Sequence, residues 1–444
     1  MNQAQAKIIA SSTAGDAAVA SGARISTTQG TALEIFARSQ ANDNNVTLIE
    51  KVAGSGHTST LEHQFFTVAF DNVSVCTEEF VIEFRLGSYT VKSRRYVDFK
   101  DAGFYLPPLP GQLLPDYKAH MQSLFADYAA LLALDIPKED ARYLLPYCFR
   151  SNFYCTMNAR ELLYMITVMC VGRGSYFPEL KALGESLREQ VRACFPKLPE
   201  LFEKRFPAGS DRYAPPVIAA CPQPEVAQGS AELQHVSPVG DVLNGSAAFN
   251  FMSGGQPVDP DDVLHGERPR ELEMIWARFA FRDLSLAAVT HLVRHRMQTV
   301  LVPQVTRAVQ IQHYVLPESI KNNADACKIY TEAFSRNAEA LNRMLSDGLP
   351  AEAVQYFALA GNQVDVLCAM NGRELLHFMK LRTCSRAQWE IRGVAVDLLR
   401  QLRLAEGSVF DRFGPSCFVT GKCPEGRLSC GKMAQMQEIF GGKL

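Results

Sequence analysis

Residues 155–163 read Cys-Thr-Met-Asn-Ala-Arg-Glu-Leu-Leu, and residues 368–376 read Cys-Ala-Met-Asn-Gly-Arg-Glu-Leu-Leu. Seven of the nine positions agree, which chance does not easily produce. In each copy a polar Asn precedes a Glu and an apolar run. This order predicts a helix that has Asn as its N-cap and Glu in its first turn. The repetition predicts that the chain contains the same fold twice.

A second set of matches lies upstream at nearly the same spacing. It pairs Leu61-Glu62 with Leu272-Glu273, Ala69-Phe70 with Ala280-Phe281, Ser74 with Ser285 and Arg85 with Arg296. Blocks that recur at nearly equal distances indicate a tandem duplication.

Length and composition divide the chain into two similar domains. Its 444 residues fit two or three domains, and the duplication favours two. We expect a first repeat at 1–206, a linker rich in Pro, Gly, Ser and Ala at 207–245, a second repeat at 246–410 and a Cys/Gly-rich tail at 411–444. Each repeat is predicted to be a β-sheet flanked by helices, of the α/β (α+β) class, and the two repeats to form a pseudo-dimer.

Local patterns place the elements of this fold. Residues 1–30 are predicted to be a loose entry segment with a short helix near 17–23. Dense β-branched and aromatic content predicts a strand at 65–70, and Asp71-Asn72 predicts a turn before a helix at 74–84. Helical periodicity is strongest at 116–134, 159–171, 180–194, 325–345 and 387–404.

Charge and hydropathy exclude several classes of protein. The 45 basic and 47 acidic residues leave a net charge of -2, without the basic block of a nucleic-acid tail. No apolar run suffices to span a bilayer or to form a signal core, so a cytoplasmic protein without membrane or nucleic-acid partners is expected. The 12 cysteines, including Cys417, Cys423 and Cys430, lack the spacing of a disulfide framework or a zinc site, and no metal is expected.

The densest polar cluster is Arg294-His295-Arg296, which follows an apolar run. Guanidinium forks suit a phosphate, and flanking cations favour a neutral imidazole. The alternative is a solvated basic helix end that stabilises the helix dipole. The tripeptide alone does not decide between the two.

Ordered motifs in both halves favour a site. In the first half they are Gly56-His57-Thr58-Ser59 with Glu62-His63, Arg85-x-x-Ser88 followed by Ser93-x-Arg95-Tyr96, and Ala141-Arg142-x-x-Leu145-Pro146 followed by Asn158. In the second half they are Arg294-His295-Arg296, Asn371-x-Arg373 and Leu381-Arg382 followed by Ala387-Gln388-Trp389-Glu390-Ile391-Arg392. This set resembles the flavin-dependent thymidylate synthases over roughly residues 45–200 and 260–410.

The resemblance implies a reaction and its partners. Members of that family are homotetramers that bind FAD and dUMP across subunit boundaries, use NADPH as reductant, and move a one-carbon unit from methylenetetrahydrofolate to carbon 5 of the pyrimidine. The flavin carries the chemistry, and no protein nucleophile is needed. With two repeats in one chain, we expect a homodimer that mimics a tetramer.

The resemblance also implies roles for individual residues. In the first repeat it implies flavin contacts at His57 and Ser59, dUMP phosphate contacts at Ser93 and Arg95, and a dUMP contact at Arg142. In the second repeat it implies flavin contacts at Arg294, His295, Arg296, Asn371, Arg373 and Gln388, and substrate contacts at Arg294 and Arg382. His377 is also expected at the flavin, because polar groups gather at sites, and His291 at the substrate. The alternative for both is an ordinary structural role in a helix. Arg142 and Arg382 are the expected catalytic residues.

Each repeat departs from the family where the other agrees with it. The first has Glu83-Phe84-Arg85 in place of Arg-His-Arg, Val168-Met169 in place of Leu-Arg, and Gly174-Ser175 in place of Ala-Gln. The second has Thr299, Gln304, Thr306 and Gln355 where the phosphate-binding residues are expected. We therefore expect composite sites built from both repeats, one type competent and the other silent, with Glu83 facing the phosphate of the silent type.

Several alternatives stay open. Asn158 and Asn371 are also good N-caps, and Arg160 and Arg373 could pair with Glu161 and Glu374 or with other surface charges. Val91, where the family loop has Glu, and the altered loop 299–307 raise the possibility of a different pyrimidine product, such as a hydroxymethylated one. A catalytically inactive paralogue that binds a nucleotide or a partner is the third alternative.

Overall fold

The computed structural model describes residues 3–207, 209–211, 218, 220–240, 243, 249, 254, 263, 264, 266 and 269–442. The chain forms two compact units. Unit 1 contains Met1–Ala220 and Ile329–Ala358, and unit 2 contains Cys221–Lys328 and Leu359–Leu444. A segment of the second half therefore belongs to the unit built on the first half.

Both units contain a four-stranded antiparallel sheet. The strands of unit 1 are β1 (Gln5–Ser11), β2 (Phe65–Ser74), β3 (Ser88–Val91) and β4 (Arg150–Asn158), in the order β1-β2-β4-β3. Unit 2 contains β5 (Glu225–Val226), β6 (Ser230–Val236), β7 (Trp276–Ser285), β8 (Gln298–Leu301), β9 (His313–Tyr314) and β10 (Gln363–Asn371). Its larger sheet has the order β6-β7-β10-β8, and β5 pairs with β9 in parallel. The same order of equivalent strands confirms the prediction of two repeats of mixed sheet and helix.

The helices of unit 1 cover and extend its sheet. They are α1 (Gly15–Ile25), α2 (Ala32–Gln40), α3 (Asn45–Gly54), α4 (Val75–Ile82), α5 (Leu113–Ala133), α6 (Lys138–Ala141), α7 (Ala159–Cys170), α8 (Pro178–Arg192) and α9 (Leu198–Arg205). Shorter 3-10 helices lie at Thr58–His63, Arg142–Leu144 and Arg173–Tyr176.

Unit 2 repeats several of these helices, among them the one after its central strand and the one after its repeated motif. They are α10 (Leu286–Leu292), α11 (Val305–Ile311), α12 (Glu318–Lys321), α14 (Gly372–Arg382), α15 (Trp389–Ala405), α16 (Gly407–Phe410), α17 (Ser416–Thr420) and α18 (Met433–Gly441). Helix α13 (Ala324–Ser346) begins in unit 2 and continues into unit 1. The 3-10 helices Arg270–Met274 and Gly426–Leu428 belong to unit 2, and Ala351–Phe357 belongs to unit 1. All five segments of strong helical periodicity are helices, as predicted.

Two edge strands were not predicted from the sequence. Strand β1 lies in the segment expected to be loose, and β6 lies in the segment expected to be a linker. Each strand buries one residue, Ala6 or Ala231, and its remaining side chains are partly or fully exposed. These strands are held by backbone hydrogen bonds to β2 or β7, which do not depend on side-chain identity. They therefore lack the alternating apolar pattern by which a half-buried strand is recognised in a sequence.

The predicted turn at Asp71-Asn72 is wrong. Both residues lie inside β2, at a bulge where the register with β4 shifts between Phe70 and Val73. Asn72 has a φ of 54°, and its backbone N–H donates to Asn152 Oδ1 at 2.8 Å. Asn tolerates left-handed backbone better than most residues, so the same local signal suits a bulge as well as a turn.

A buried carboxylate fixes the junction between strand and helix in each unit. In unit 1, Glu179 accepts hydrogen bonds from the Ser74 N–H at 2.9 Å and the Ser74 hydroxyl at 2.5 Å. In unit 2, Glu390 accepts from the Ser285 N–H at 2.7 Å and the Ser285 hydroxyl at 2.5 Å. Each serine also caps the helix that follows, since its hydroxyl accepts from Thr77 N or Ala288 N. This junction directs α4 and α10, whose C-terminal ends lead into residues 83–85 and 294–296.

The segment 329–358 packs into unit 1 through polar and aromatic contacts. His120 Nε2 of α5 is 2.9 Å from Asn337 Oδ1, and Asn337 Nδ2 donates to the Phe357 carbonyl at 2.8 Å. Phe357 packs edge-on against Tyr117 at a centroid distance of 5.7 Å.

None of the helices in the described part of the chain combines the length and apolar character needed to cross a bilayer.

Replacing Ser285 with alanine tests the strand-to-helix junction. Ser285→Ala should lower the free energy of unfolding by about 2–3 kcal/mol, because the buried Glu390 carboxylate loses a hydroxyl donor and α10 loses its cap. Urea unfolding followed by circular dichroism measures this change. Ser346→Ala is the control: its exposed hydroxyl bonds only to the Asn342 carbonyl of its own helix, and its effect should stay within about 0.5 kcal/mol. Equal losses from both variants would contradict the importance of the junction.

Candidate functional site

The two copies of the repeated motif begin helices in the same way. Asn158 Oδ1 accepts from the Glu161 N–H at 2.9 Å, and Asn371 Oδ1 accepts from the Glu374 N–H at 2.9 Å. Both asparagines are therefore N-caps, as the sequence allowed. Flavin contact at Asn371 stays a prediction.

The arginine after each N-cap is held in an exposed ion pair. Arg160 Nη1 lies 2.6 Å from Glu62 Oε1, and Arg373 Nη1 lies 2.6 Å from Glu273 Oε1. The partners are the acidic residues of the 3-10 helices, and neither arginine pairs with the Glu next to it. Because both repeats have the pair, it is a shared feature of the fold.

A polar relay of Glu374, His295 and Arg382 connects three parts of unit 2. His295 Nδ1 is 3.0 Å from Glu374 Oε1 in the first turn of α14. Arg382 Nε, at the end of α14, donates to His295 Nε2 at 3.0 Å. Arg382 Nη2 also donates to the His291 carbonyl at 2.9 Å, in the last turn of α10. These bonds tie the end of α10 to both ends of α14.

The relay fixes the protonation state of His295. Arginine Nε can only donate, so His295 Nε2 accepts, the proton lies on Nδ1, and Nδ1 donates to Glu374. Burial lowers the pKa of His295, and the neighbouring Arg382 acts in the same direction, whereas the hydrogen bond to Glu374 raises it. The net direction is downward, which matches a neutral imidazole. Glu374 was not predicted as a site residue, because its place in the first turn suggested only a helix-start role.

The arginines beside His295 face the surface. Arg294 and Arg296 are exposed, whereas His295 is 3% exposed. The interpretation as a solvated helix end is therefore wrong for the histidine. Exposed His377 lies edge-on to His295, with ring centroids 5.6 Å apart and an interplanar angle of 64°. Together these side chains present two cations and an imidazole around one neutral, buried ring.

Unit 1 keeps the ring geometry of this cluster but replaces its histidines and its arginine. Its three equivalent positions hold Phe84 for His295, Tyr164 for His377 and Met169 for Arg382. The Phe84 and Tyr164 rings meet edge-on, 5.8 Å apart at 69°, almost as the two histidines do. The packing is the same in the two repeats, but unit 1 has neither the imidazole nor the guanidinium.

Glu83 in unit 1 is engaged within its own unit. Its carboxylate forms an ion pair with Arg173, which also contacts Asp211 at 3.0 Å. The expectation that Glu83 faces a phosphate is therefore not needed to explain this position.

Unit 1 concentrates arginines on the loop after β3 and on the 3-10 helix Arg142–Leu144. Arg95 Nε lies 2.6 Å from Glu139 Oε1, and Arg142 Nε donates to the Glu139 carbonyl at 3.0 Å. Arg142 is buried, and burial lowers its pKa, with the positive charges of Arg94 and Arg95 acting in the same direction. Glu139 therefore bridges two of the three residues that were assigned to the nucleotide, and Ser93 lies on the same loop.

The equivalent positions of the second repeat have no such charge. Gln304, Thr306 and Gln355 stand at the positions of Ser93, Arg95 and Arg142. Thr306 is buried, and its hydroxyl has no hydrogen-bond partner among the residues that the structure describes. A buried hydroxyl without a partner destabilises a fold, so Thr306 does not take the place of the charged contact that Arg95 makes in unit 1.

The remaining predicted residues lie at element starts. His57 and Ser59 are both exposed, at the beginning of the 3-10 helix Thr58–His63. Gln388 is buried and caps α15, with Oε1 accepting from Ile391 N at 3.0 Å. Ligand contact by these three residues stays a prediction.

Metal-binding clusters were sought among the acidic, histidine and cysteine side chains. Across residues 3–442, as far as they are described, no three of them lie together in a way that could hold a metal ion. All 12 cysteines are free thiols, including the three of the tail.

Comparison with known proteins identifies the family of both repeats. The family described as thymidylate synthase complementing protein matches residues 7–197 and 261–405. A flavin-dependent thymidylate synthase of Geobacter sulfurreducens is 34% identical over 190 residues, covering 40% of this chain and 78% of that protein. Its counterpart from Clostridium tetani is 30% identical over 187 residues, covering 38% of this chain and 74% of that protein.

Solved structures give a weaker likeness. A UMP/dUMP methylase from Streptomyces cacaoi is 24% identical, covers 46% of this chain and 96% of its own, and has a TM-score of 0.39. The thymidylate synthase X of Helicobacter pylori is 20% identical, with coverages of 46% and 98% and a TM-score of 0.36. The assignment of the family therefore stands on the sequence matches. Because the two matched segments together cover more than half of the chain, it belongs to the thymidylate synthase complementing protein family, which is that of the flavin-dependent thymidylate synthases, and carries the family sequence twice.

Proposed function

We propose that the protein catalyses the reductive methylation of dUMP to dTMP, with FAD as cofactor, NADPH as reductant and methylenetetrahydrofolate as one-carbon donor. It acts in the cytoplasm as a homodimer with four repeats. The division of polar groups between the two repeats carries this proposal. Unit 1 has the arginine cluster without the relay, and unit 2 has the relay without the arginine cluster.

The arginine cluster of unit 1 suits the phosphate of a nucleotide. The guanidinium groups of Arg95 and Arg142 both contact Glu139, the first at its carboxylate and the second at its backbone carbonyl oxygen. A phosphate dianion offers the same kind of oxygen acceptor with more charge, and charge-assisted hydrogen bonds to guanidinium are strong. Ser93 supplies a hydroxyl from the same loop. We assign these three residues to dUMP, and Arg142 to orienting the pyrimidine nucleotide for the reaction.

The relay of unit 2 suits a flavin nucleotide. The exposed guanidinium groups of Arg294 and Arg296 match the diphosphate of FAD, and the neutral His295 between them adds no further charge. FAD supplies the redox chemistry when it is bound. The chain's own contribution is orientation: Glu374 and His295 hold the Arg382 guanidinium at the end of α14. We assign this guanidinium to the substrate base.

Composite sites follow from this division. A site that combines Ser93, Arg95 and Arg142 of one repeat with Arg294 and Arg382 of the other has a nearly complete set of groups. The reverse combination has Thr306, Gln355 and Met169 in their places and lacks most cations. We therefore propose one competent and one silent type of site. The remaining flavin assignments are His57, Ser59, Asn371, Arg373, His377 and Gln388, and His291 is assigned to the substrate.

An anaerobic assay with dUMP, methylenetetrahydrofolate, FAD and NADPH tests the proposal directly. We expect dTMP, identified by mass. A product heavier than dTMP by one oxygen would instead show hydroxymethylation. This alternative is motivated by Val91, which stands where the family has Glu. A protein that takes up no flavin, even after incubation with FAD, would be a non-catalytic paralogue, and the proposed function would be wrong.

Paired alanine variants at equivalent positions test the asymmetry. Arg95→Ala should raise the KM for dUMP by about 10- to 100-fold, because a charge-assisted bond is worth about 1.5–3 kcal/mol. Thr306→Ala, at the matching position of the second repeat, should change the KM less than about twofold, since its hydroxyl has no partner in the described structure to lose. Steady-state kinetics with dUMP gives both values. Comparable damage from the two variants would refute the asymmetry.

The relay of unit 2 should depend on pH, because it requires a neutral His295. Because the pKa of His295 is lowered, the neutral ring's contribution to the stability of unit 2 is complete above 6.5, the ordinary pKa of histidine. This contribution is lost as the pH falls through the lowered pKa. Protonation puts a hydrogen on Nε2, which can then no longer accept from Arg382. The KM for dUMP, measured by steady-state kinetics across pH, should therefore be constant above pH 6.5 and rise as the pH falls through the lowered pKa of His295, because Arg382 loses the bond that positions it.

Substitutions in the relay should shift the titration of His295 in opposite directions. Arg382→Met removes a nearby cation and should raise the pKa of His295, whereas Glu374→Gln removes a carboxylate and should lower it. NMR titration of the imidazole resonances reports both shifts, and His377→Gln helps to assign the signals. Shifts of the same sign in both variants would rule out the relay.

A further inference from the structure

A buried ion pair lies directly beneath the arginine loop of unit 1. Glu78 of α4 is 1% exposed, and its Oε2 lies 2.5 Å from Arg94 Nη2. The Ser151 hydroxyl of β4 donates to the same carboxylate oxygen. The Arg94 guanidinium also lies over the Phe149 ring, 5.1 Å from its centroid. Three elements, namely α4, β4 and the loop after β3, therefore converge on one carboxylate.

The second repeat replaces the whole network with valine. Val289, Val305 and Val364 stand at the positions of Glu78, Arg94 and Ser151. Val289 and Val364 are 3% and 1% exposed, so these two positions pack in the core of unit 2. Val305 is half-buried and begins α11, whereas Arg94 lies in a loop. All three positions change together, as expected if any partial set leaves a buried charge or hydroxyl without its partner.

Stability alone does not explain why the first repeat keeps the ion pair. Exchanging a buried ion pair for apolar side chains of suitable volume is often neutral or stabilising. The repeat with the ion pair also has Ser93 and Arg95 on its loop, and the repeat with the valines has Gln304 and Thr306. The buried network therefore accompanies the phosphate-binding residues.

We propose that Glu78, Arg94 and Ser151 position the loop 92–97 for the phosphate of the nucleotide, an inference that rests on the proposed function. Arg94 points inward to Glu78, and its neighbours Ser93 and Arg95 flank this anchor. Within the loop, the Arg95 N–H donates to Ser93 Oγ at 3.3 Å and the Val97 N–H donates to the Ser93 carbonyl at 3.1 Å. An anchored loop presents both side chains without having to be ordered when the nucleotide binds.

The network also adjusts the charge around the phosphate site. Burial alone would lower the pKa of Arg94, but Glu78, Glu79 and Tyr147 together raise it and the net direction is upward. Arg94 therefore stays charged and its charge is balanced by Glu78. The ion pair is neutral as a whole, which leaves Arg95 and Arg142 as the cations assigned to the phosphate. Arg94 is thus a positioning residue without direct contact to the substrate.

A triple variant that copies the valines of the second repeat tests this proposal. Glu78→Val, Arg94→Val and Ser151→Val together leave no buried charge unpaired. We expect the thermal midpoint to stay within a few degrees of the wild type, FAD binding to be unchanged, and the Kd for dUMP to rise at least tenfold. Deoxyuridine, which has no phosphate, should bind the variant and the wild type equally. A triple variant with wild-type affinity for dUMP would overturn the proposal.

Two single variants keep the test decisive. Glu78→Val alone leaves Arg94 buried without its partner and should lower the thermal midpoint clearly more than the triple variant does. Arg94→Lys keeps the charge but loses the guanidinium fork, so we expect a folded protein with a Kd for dUMP raised severalfold. If the triple variant fails to fold, wild-type affinity in Arg94→Lys refutes the positioning role. Failure of the wild type itself to bind dUMP would instead refute the proposed function.

Discussion

Two buried carboxylates hold the frame on which both units depend. Glu179 and Glu390 each accept two hydrogen bonds from the serine at which a long central strand ends and a helix begins. A carboxylate taken out of water needs such donors, and the serine supplies both its N–H and its hydroxyl. The contact joins the first turn of a later helix to the strand end. It therefore fixes the direction of the helix whose end leads into Glu83–Arg85 or Arg294–Arg296.

This frame lets the site residues diverge without changing the fold. The aromatic pair of unit 1 and the histidine pair of unit 2 meet at nearly the same distance and angle. Packing at these positions requires two flat rings and does not depend on which polar groups the rings contain. The chemistry depends on the ring nitrogen atoms of His295, which only unit 2 connects to Glu374 and Arg382. Fold and site are thus separable at the same pair of positions.

The sequence predicts those parts of the structure that local pattern decides. The N-caps at Asn158 and Asn371, the central strand from Phe65 and the long helices follow from residues adjacent in the chain. The edge strand β1 is not predicted, because it is held by backbone hydrogen bonds to β2 and has no alternating apolar pattern. The His295–Glu374 contact joins residues 79 positions apart, and no local rule connects them. The resemblance to a family supplied the arginines but not the groups that hold them.

The buried ion pair of unit 1 is replaced as a whole in unit 2, because intermediates are costly. Removing Glu78 alone would leave Arg94 buried and unpaired, a loss of about 3–5 kcal/mol that a domain of marginal stability cannot easily bear. Replacing all three members by valine removes this penalty, and unit 2 has that version. The same reasoning applies to the relay, since Arg382 without an accepting His295 would lose a partner in a half-buried place. Unit 1 keeps the ion-pair network whole and has lost the imidazole and guanidinium groups of the relay, although Glu161, the counterpart of Glu374, remains. Unit 2 keeps the relay whole and has valine at all three positions of the ion pair, and this difference is the physical basis for the proposed division of labour between them.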